Sequence, residues 1–408
     1  GTMRSKGIGI DEPLWAEAPS VLGEPGLDDA GTLRTDVSGD GRSPVRPGAA
    51  RVEVLVPAPR QPVAPATPLS GRGQRPPGLG GSDGGIVRPL SRRVSDPGLS
   101  FDDRVAPRGY RWWYVDGLSD DGRMGVTIIA FIGSVFSPYY AMSGRSRPEN
   151  HCALNVAIYK PRDLRDPRGN RWSMTERPRK HLAREQHWLQ IGPSALRWQD
   201  DSLTIDVDEF TFPIPGRIKG RIRVRPEFLC DRVFALDSAR RHQWWPIAPR
   251  ARIEVDIESL SVRWRGGGYL DQNFGSEPLE DGFESWHWSR AAVGSEAVIL
   301  YDIVRRGGGQ AALALRVDSS GQIGAFEPPG NVPLGRTPIW RMDRRTQADD
   351  ASRIIATLED TPFYARSHIR TKLLGAETEA MHESLALGRL RSPIIKSLLP
   401  WRMPRQFW

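Results

Sequence analysis

Leu203 to Pro215 reads LTIDVDEFTFPIP, and Gly216 to Phe228 continues as GRIKGRIRVRPEF. Apolar side chains fall at 203, 205 and 207 and again at 218, 222 and 224, with polar ones between them. A two-residue period puts one face in a core and the other in water, the signature of a half-buried β-strand. The pattern recurs in ARIEVDIESLSVRW (251–264), EAVILYDIVRR (296–306), GGQAALALRVDSSGQIGAF (308–326) and ASRIIATLED (351–360). Turn residues separate these runs at short intervals, as at Ser319-Ser320-Gly321 and Gly307–Gly309. In YRWWYVDGLSDDGRMGVTIIAFIG (110–133) an aromatic run, a turn at Asp120-Asp121-Gly122 and an apolar run make a hairpin. Helical periodicity is confined to the tail from about Ala376. Many short strands with regular turns predict an all-β chain of antiparallel sheets closed into barrels, and roughly 300 ordered residues suit two barrels side by side.

Composition narrows the possibilities further. The 408 residues carry Lys+Arg 57 against Asp+Glu 49, a net charge of +8, which favours anionic partners without choosing between nucleic acid and a membrane face. Residues 1–100 differ from the rest. From Gly41 to Ser100 the chain is rich in Pro, Gly, Arg and Ser, buries too little apolar surface to offset ordering, and is expected to be disordered. Two β units are expected to follow, over 101–250 and 251–408. The start, GTMRSKGIGIDEPLW, reads as lacking the apolar core of a secretory signal, with Gly1 and Thr2 before Met3 a cloning remnant. Only Cys152 and Cys230 are present, too few for a disulfide framework or a cysteine-built zinc site, and consistent with a reducing, cytoplasmic setting. Gly125 to Met142, GVTIIAFIGSVFSPYYAM, has the length of a membrane span, but Pro138 and its β-branched run suit two buried strands joined by a turn.

No Walker loop, GxSxG elbow or HExxH helix occurs, and the seven histidines have no ligand spacing, so neither a metal nor a cofactor is expected. Two segments stand out. In HQWWPIAP (242–249), His242 and Trp244 share one face of a strand that Pro246 assigns to an edge or a loop. They read equally as a hydrogen-bonded histidine beside core tryptophans. In GGGYLDQNFGSEPLEDGFESWHWSR (266–290), Tyr269 and Asp271 share a face, and Gly266–Gly268 permit a bulge that aims it into a barrel interior. Asp271 is then either an aspartate bonded to backbone amides or a carboxyl whose proton is held by desolvation.

The runs GYLDQNFGSEPLEDGFESWHWSRA (268–291) and LDSARRHQWWPIAPRARIEV (236–255), with FIGSVFSPYYA, HCALNVAIY, RWSMTER and IGPSAL, resemble bacterial carotenoid 1,2-hydratases, also called hydroxyneurosporene synthases. The likeness runs from about Arg111 to about Asp302; the first hundred residues carry nothing of it, and the last third carries it loosely. The resemblance implies a pair of lipocalin-like antiparallel β-barrels. It implies addition of water to the terminal double bond of acyclic carotenoids such as neurosporene and lycopene, without a cofactor. It places the catalytic positions on His242, Trp244, Tyr269 and Asp271. On that reading Asp271 is the acid, Trp244 and Tyr269 face the cation, and His242 either orients water or holds Asp271 by a hydrogen bond. Two other activities fit the same scaffold, an isoprenoid or lipid carrier that does no chemistry and a polyene cyclase or isomerase. Nucleic acid is not an expected partner, because the aromatics lie in apolar strands rather than among Arg and Lys. A bilayer-resident substrate implies peripheral attachment to the membrane surface, and LRSPIIKSLLPWRMPRQFW (390–408), with its Trp, Ile, Arg and Lys, is the expected docking segment.

Overall fold

The computed structural model describes residues 99–161, 166 and 168–406, together with the backbone of two short strands, Val52–Val54 and Val87–Pro89. Most of the region 1–100 expected to be disordered, and Phe407 and Trp408, lie outside the described residues. In chain order the main strands are β1 (Tyr110–Ser119), β2 (Gly125–Ile132), β3 (Cys152–Tyr159), β4 (Arg171–Arg177), β5 (Leu182–Glu185) and β6 (Trp188–Ile191). Then follow β7 (Ser194–Gln199), β8 (Ser202–Phe210), β9 (Arg217–Pro226), β10 (His242–Ile257) and β11 (Val262–Gly275). These eleven run through the first sheet in the order β4-β3-β2-β1-β11-β10-β9-β8-β7-β6-β5, and a twelfth, two-residue strand, Phe234–Ala235, pairs with β10. It curls back on itself. The Ser173 hydroxyl on β4 donates to the Phe210 carbonyl on β8 at 2.5 Å, and Arg177 pairs with Glu209 at 2.8 Å.

The second sheet takes β12 (Phe283–Val293), β13 (Glu296–Arg305), β14 (Gln310–Val317), β15 (Arg353–Asp360), β16 (Tyr364–Leu373) and β17 (Ala376–Leu385), in the order β14-β13-β12-β17-β16-β15. All these pairs are antiparallel, as the two-residue period predicts. The change of sheet falls between Gly275 and Phe283 rather than at 250/251, because β10 runs through 250 and β11 pairs with both β10 and β1.

Alternation along the strands creates two separate cores. Trp113 and Val115 of β1, Trp245 and Ile247 of β10 and Leu270 of β11 fill the lumen of the first barrel with Ile, Val and Leu from the other strands. Trp112, Tyr114, Trp244 and Tyr269 point the other way, onto Trp286, Trp288 and Tyr301 of the second sheet. The expectation that the Tyr269/Asp271 face looks into a barrel interior is therefore corrected. Leu270 takes that place in an already filled lumen, and the functional face lies between the sheets.

Three local expectations also change. β10 is an interior strand, and Pro246 and Pro249 are tolerated because the register to β11 shifts between Trp245 and Ala248 and again between Ala248 and Ala251. Gly266–Gly268 pair in regular register with Ser119, Leu118 and Gly117, so the bulge lies on the partner strand. The second half of 125–142 is a helical turn, Pro138–Met142, because Pro138 opens it and the Ser137 hydroxyl accepts from the Tyr140 amide at 2.9 Å.

The tail from 376 is a strand, followed by short helices at Leu387–Leu390 and Pro393–Leu398. Leu399 and Met403 are buried, and Arg405 pairs with the buried Glu176 of β4. Glu176 also donates its amide to Pro404 O and accepts from the Gln406 amide, both at 2.9 Å. The same segment leaves Ile394, Leu398 and Trp401 exposed.

A Cβ at Gly266 meets the Leu118 carbonyl oxygen at 1.9 Å, whereas one at Gly267 meets nothing within 4 Å. Gly266→Ala is expected to lower stability by about 1–3 kcal/mol or more through forced backbone movement, and Gly267→Ala to change it by under about 0.5 kcal/mol, measured by urea unfolding.

Candidate active site

The site is built from two matching triplets on neighbouring strands. Tyr114-Val115-Asp116 of β1 and Tyr269-Leu270-Asp271 of β11 run antiparallel, with Tyr114 opposite Asp271 and Asp116 opposite Tyr269. All four polar side chains point away from the first barrel, and all four residues are buried. Within each triplet the tyrosine hydroxyl donates to the aspartate two residues on, Tyr114 to Asp116 Oδ2 and Tyr269 to Asp271 Oδ2, both at 2.8 Å.

The two aspartates then diverge. Asp116 is ion-paired: Arg290 Nε donates to its Oδ1 at 2.5 Å, and Arg366 Nη1 lies 3.8 Å from Oδ2. Arg366 also pairs with Glu383 and donates to the Tyr114 hydroxyl. Asp271 has no cation. Its second donor is Trp244 Nε1, on Oδ2 at 2.8 Å, and its buried Oδ1 has no hydrogen-bond partner among the described residues. Burial drives the Asp271 pKa up to about 8; the two hydrogen bonds oppose this, and the charges of Glu383 and Asp116 add to it. With Oδ2 accepting two hydrogen bonds, Oδ1 is the oxygen left open to hold a proton.

Aromatic rings surround this carboxyl. Tyr301 meets Trp244 edge-on at 5.0 Å and Trp286 at 5.9 Å; Trp288 lies 5.3 Å from Tyr269 and 5.6 Å from Tyr114. The Arg290 guanidinium sits 5.6 Å from the Tyr269 ring centre. Tyr269 and Tyr301 both have pKa values pushed well up by burial, so they stay neutral donors.

Of the four residues expected from sequence, the structure joins Trp244, Tyr269 and Asp271 by direct hydrogen bonds. His242 stands on the same face but bonds elsewhere: Nδ1 with the Tyr110 hydroxyl at 2.9 Å and Nε2 with Glu277 at 3.1 Å. Burial lowers its pKa, while Asp237 and Glu277 pull the other way. Its ring packs on Phe283 at 4.6 Å, and its partner Tyr110 stacks on Trp112 at 5.0 Å. The reading that left Asp116, Arg290, Arg366 and Glu383 aside missed a visible signal, the YVD triplet that repeats YLD. Their pairing across the sheets is not visible, because it depends on β12, β16 and β17 folding over β1. Among the described residues no group of His, Cys, Asp and Glu could hold a metal ion, and both cysteines are buried thiols.

A family model described as carotenoid hydratase CrtC matches residues 128–408. An acyclic carotenoid 1,2-hydratase of Thiocapsa roseopersicina is 51% identical over 410 residues, 99% of each chain. One of Rubrivivax gelatinosus is 48% identical over 93% of each chain. The first of these alignments takes in the N-terminal hundred residues as well, which corrects the expectation that they carry nothing of the family. Among solved structures, kievitone hydratase of Nectria haematococca is similar with a TM-score of 0.43 and 7% identity over 74% of this chain and 98% of that one.

The contrast between the aspartates is testable as stability. Asp116→Asn leaves two arginines buried without their carboxylate and is expected to cost about 3–5 kcal/mol. Asp271 has its folded pKa raised above the ordinary 3.8, so the folded state holds a proton the unfolded state releases, and stability falls by about 1.4 kcal/mol per pH unit between those values. Asp271→Asn has the shape of the protonated acid without that loss. It is expected to match the parent near pH 4 and exceed it near pH 8 in urea unfolding.

Proposed function

The chain belongs to the carotenoid hydratase family and adds water to the terminal double bond of acyclic carotenoids, and on that premise we propose that Asp271 is the acid that starts the reaction. The observation carrying this reading is a buried carboxyl with no cation, two donors on one oxygen and a free second oxygen. Oδ1 delivers its proton to the less substituted alkene carbon, the π pair forms the new C–H bond, and a tertiary cation remains. Trp244, Tyr269, Trp288 and Tyr301 turn π electrons toward it, an interaction worth about 2 kcal/mol when desolvated. That helps but does not replace the acid. Water adds to the cation, and the oxonium returns its surplus proton to the Asp271 carboxylate. The sum is alkene plus water giving a tertiary alcohol, with the acid regenerated and no cofactor consumed. Neurosporene and lycopene, which end in such alkenes, are the proposed substrates. His242 acts as a positioning residue, fixing Tyr110 and through it Trp112.

The enzyme works at a membrane surface, on this proposal. No helix among the described residues is long and apolar enough to cross a bilayer. Ile394 (72% exposed) and Trp401 (75% exposed) stand on the C-terminal segment beside Ile339 (73% exposed) on a neighbouring loop, which Arg389 ties to it by donating to Trp340 O at 2.8 Å. Arg341, Arg389 and Arg391 are exposed around them, matching an anionic leaflet at about 1 kcal/mol each.

Asp271→Asn is expected to abolish the gain of one water by lycopene while circular dichroism stays unchanged; full activity overturns the assignment. In the parent enzyme the competent form is the protonated acid, so kcat/KM should hold below about pH 8 and fall tenfold per unit above it. Water labelled in its oxygen separates hydration from cyclisation or carriage, since only hydration adds that oxygen to the product. Ile394→Glu with Trp401→Glu should remove sedimentation with anionic liposomes and leave the melting temperature unchanged.

A further inference from the structure

Away from Asp271, a cavity of about 210 Å³ opens between the two sheets, close to the C-terminal segment. Its first-sheet wall includes Ile129, Asn155 and Met174; Phe363 and Tyr364 face them from the second sheet, and Leu399 and Met403 close one side. Two further lining residues, Trp340 and Leu398, are exposed, so the mouth lies on the same surface as Ile394 and Trp401.

Strand register places this cavity in line with the acid. Asp271 is opposite Tyr114, Tyr114 opposite Ile129, Ile129 opposite Asn155, and Asn155 opposite Met174. One straight row across five strands therefore runs from the carboxyl to the far wall. At about 4.8 Å per strand, Ile129 is about 10 Å from Asp271 and Met174 about 19 Å. A second row roofs it: Arg366 of β16 is opposite Glu383, Glu383 opposite Trp288, and Trp288 opposite Tyr301. Ring contacts bridge the interval without a break. Phe363 meets Phe136 at 5.1 Å, Phe136 meets Phe131 at 5.9 Å, and Phe131 meets Trp112 at 5.9 Å. Trp112 then meets Trp286 at 6.4 Å, and Trp286 meets Tyr301 beside Trp244.

We propose that this cavity is the outer half of the polyene-binding site, and that the aromatic row from Phe131 through Trp112 and Trp286 is its inner half. The proposal rests on the hydratase reading above and adds where the hydrocarbon lies. A conjugated hydrocarbon suits this unbroken run of tilted and edge-on ring contacts, and a cavity this size takes one segment while the remainder extends through the mouth. The inner half is filled by side chains, so Trp112 and Trp286 must turn aside when the terminal isoprene unit advances to Asp271.

The test uses lycopene in detergent micelles, so that membrane attachment does not enter. Binding is read in the Asp271→Asn protein as circular dichroism induced in the visible band of the achiral polyene. Met403→Trp fills the cavity, and Leu398→Arg places a charge at its exposed mouth, a change that folding tolerates. Each is expected to weaken binding at least tenfold in that background and to raise KM at least tenfold in the Asp271 enzyme, with kcat reduced less than threefold. Unchanged affinity and KM in both variants overturns the cavity assignment, even if Asp271→Asn is inactive. An active Asp271→Asn protein overturns the acid assignment instead, and the KM of the filled variants still decides the cavity.

Discussion

A carboxyl group without a cation, enclosed between two aromatic sheet faces, is the constraint on which this structure turns. Desolvating an ionised carboxylate is costly, and the protein leaves Asp271 to keep its proton rather than supplying a counter-charge. The neighbouring triplet was resolved in the opposite way. Asp116 stands one strand over with the same tyrosine two residues before it, yet Arg290 and Arg366 reach it from the second sheet. One motif thus yields an ion-paired aspartate and one whose proton is held by burial, and only the second sheet distinguishes them. The anion is not idle, because its charge is among the influences that hold the Asp271 proton in place.

The two-sheet arrangement explains why the catalytic face is not the lumen of a barrel. The lumen of the first barrel is packed with aliphatic side chains and Trp113, Trp245 and Trp264, leaving no lining for a long hydrocarbon. The second sheet lays Trp286, Trp288 and Tyr301 over the outer face of β1 and β11, and the space between them is both apolar and rich in π surface. A carbocation needs such surroundings, since they delay its capture by stray nucleophiles and spread its charge.

Much of this was legible in the sequence. The period of two in Leu203–Val207 and Ile218–Val224 marks the strands, and the shared faces of His242/Trp244 and Tyr269/Asp271 mark the candidate residues on which the proposal rests. Period alone did not say which face met which core. Tyr269 and Leu270 are both apolar in bulk, so the alternation is equally satisfied with either one in the lumen. The prolines of β10 suggested an edge because the two register shifts that accommodate them are set by β11, a partner beyond local pattern. The tail was ambiguous for a related reason. Its buried residues, Leu399 and Met403, and its exposed ones, Ile394 and Trp401, are equally hydrophobic, and only Arg405 meeting Glu176 fixes which side turns inward.

Hydration also requires that water arrive where hydrocarbon does not. The proposed polyene path crosses the strands from Met174 toward Asp271, whereas the polar residues His242 and Glu277 lie along them. His242 lies opposite Gly275 at the end of β11, four residues beyond Asp271, and its ring is held between Tyr110 and Glu277. Glu277 is 17% exposed, so this edge opens to solvent while the cavity mouth opens beside Ile394 and Trp401. A cation formed between them has a single open polar side. On the proposed mechanism such a side favours capture by water over loss of a proton or ring closure, and His242 borders it although it never touches Asp271.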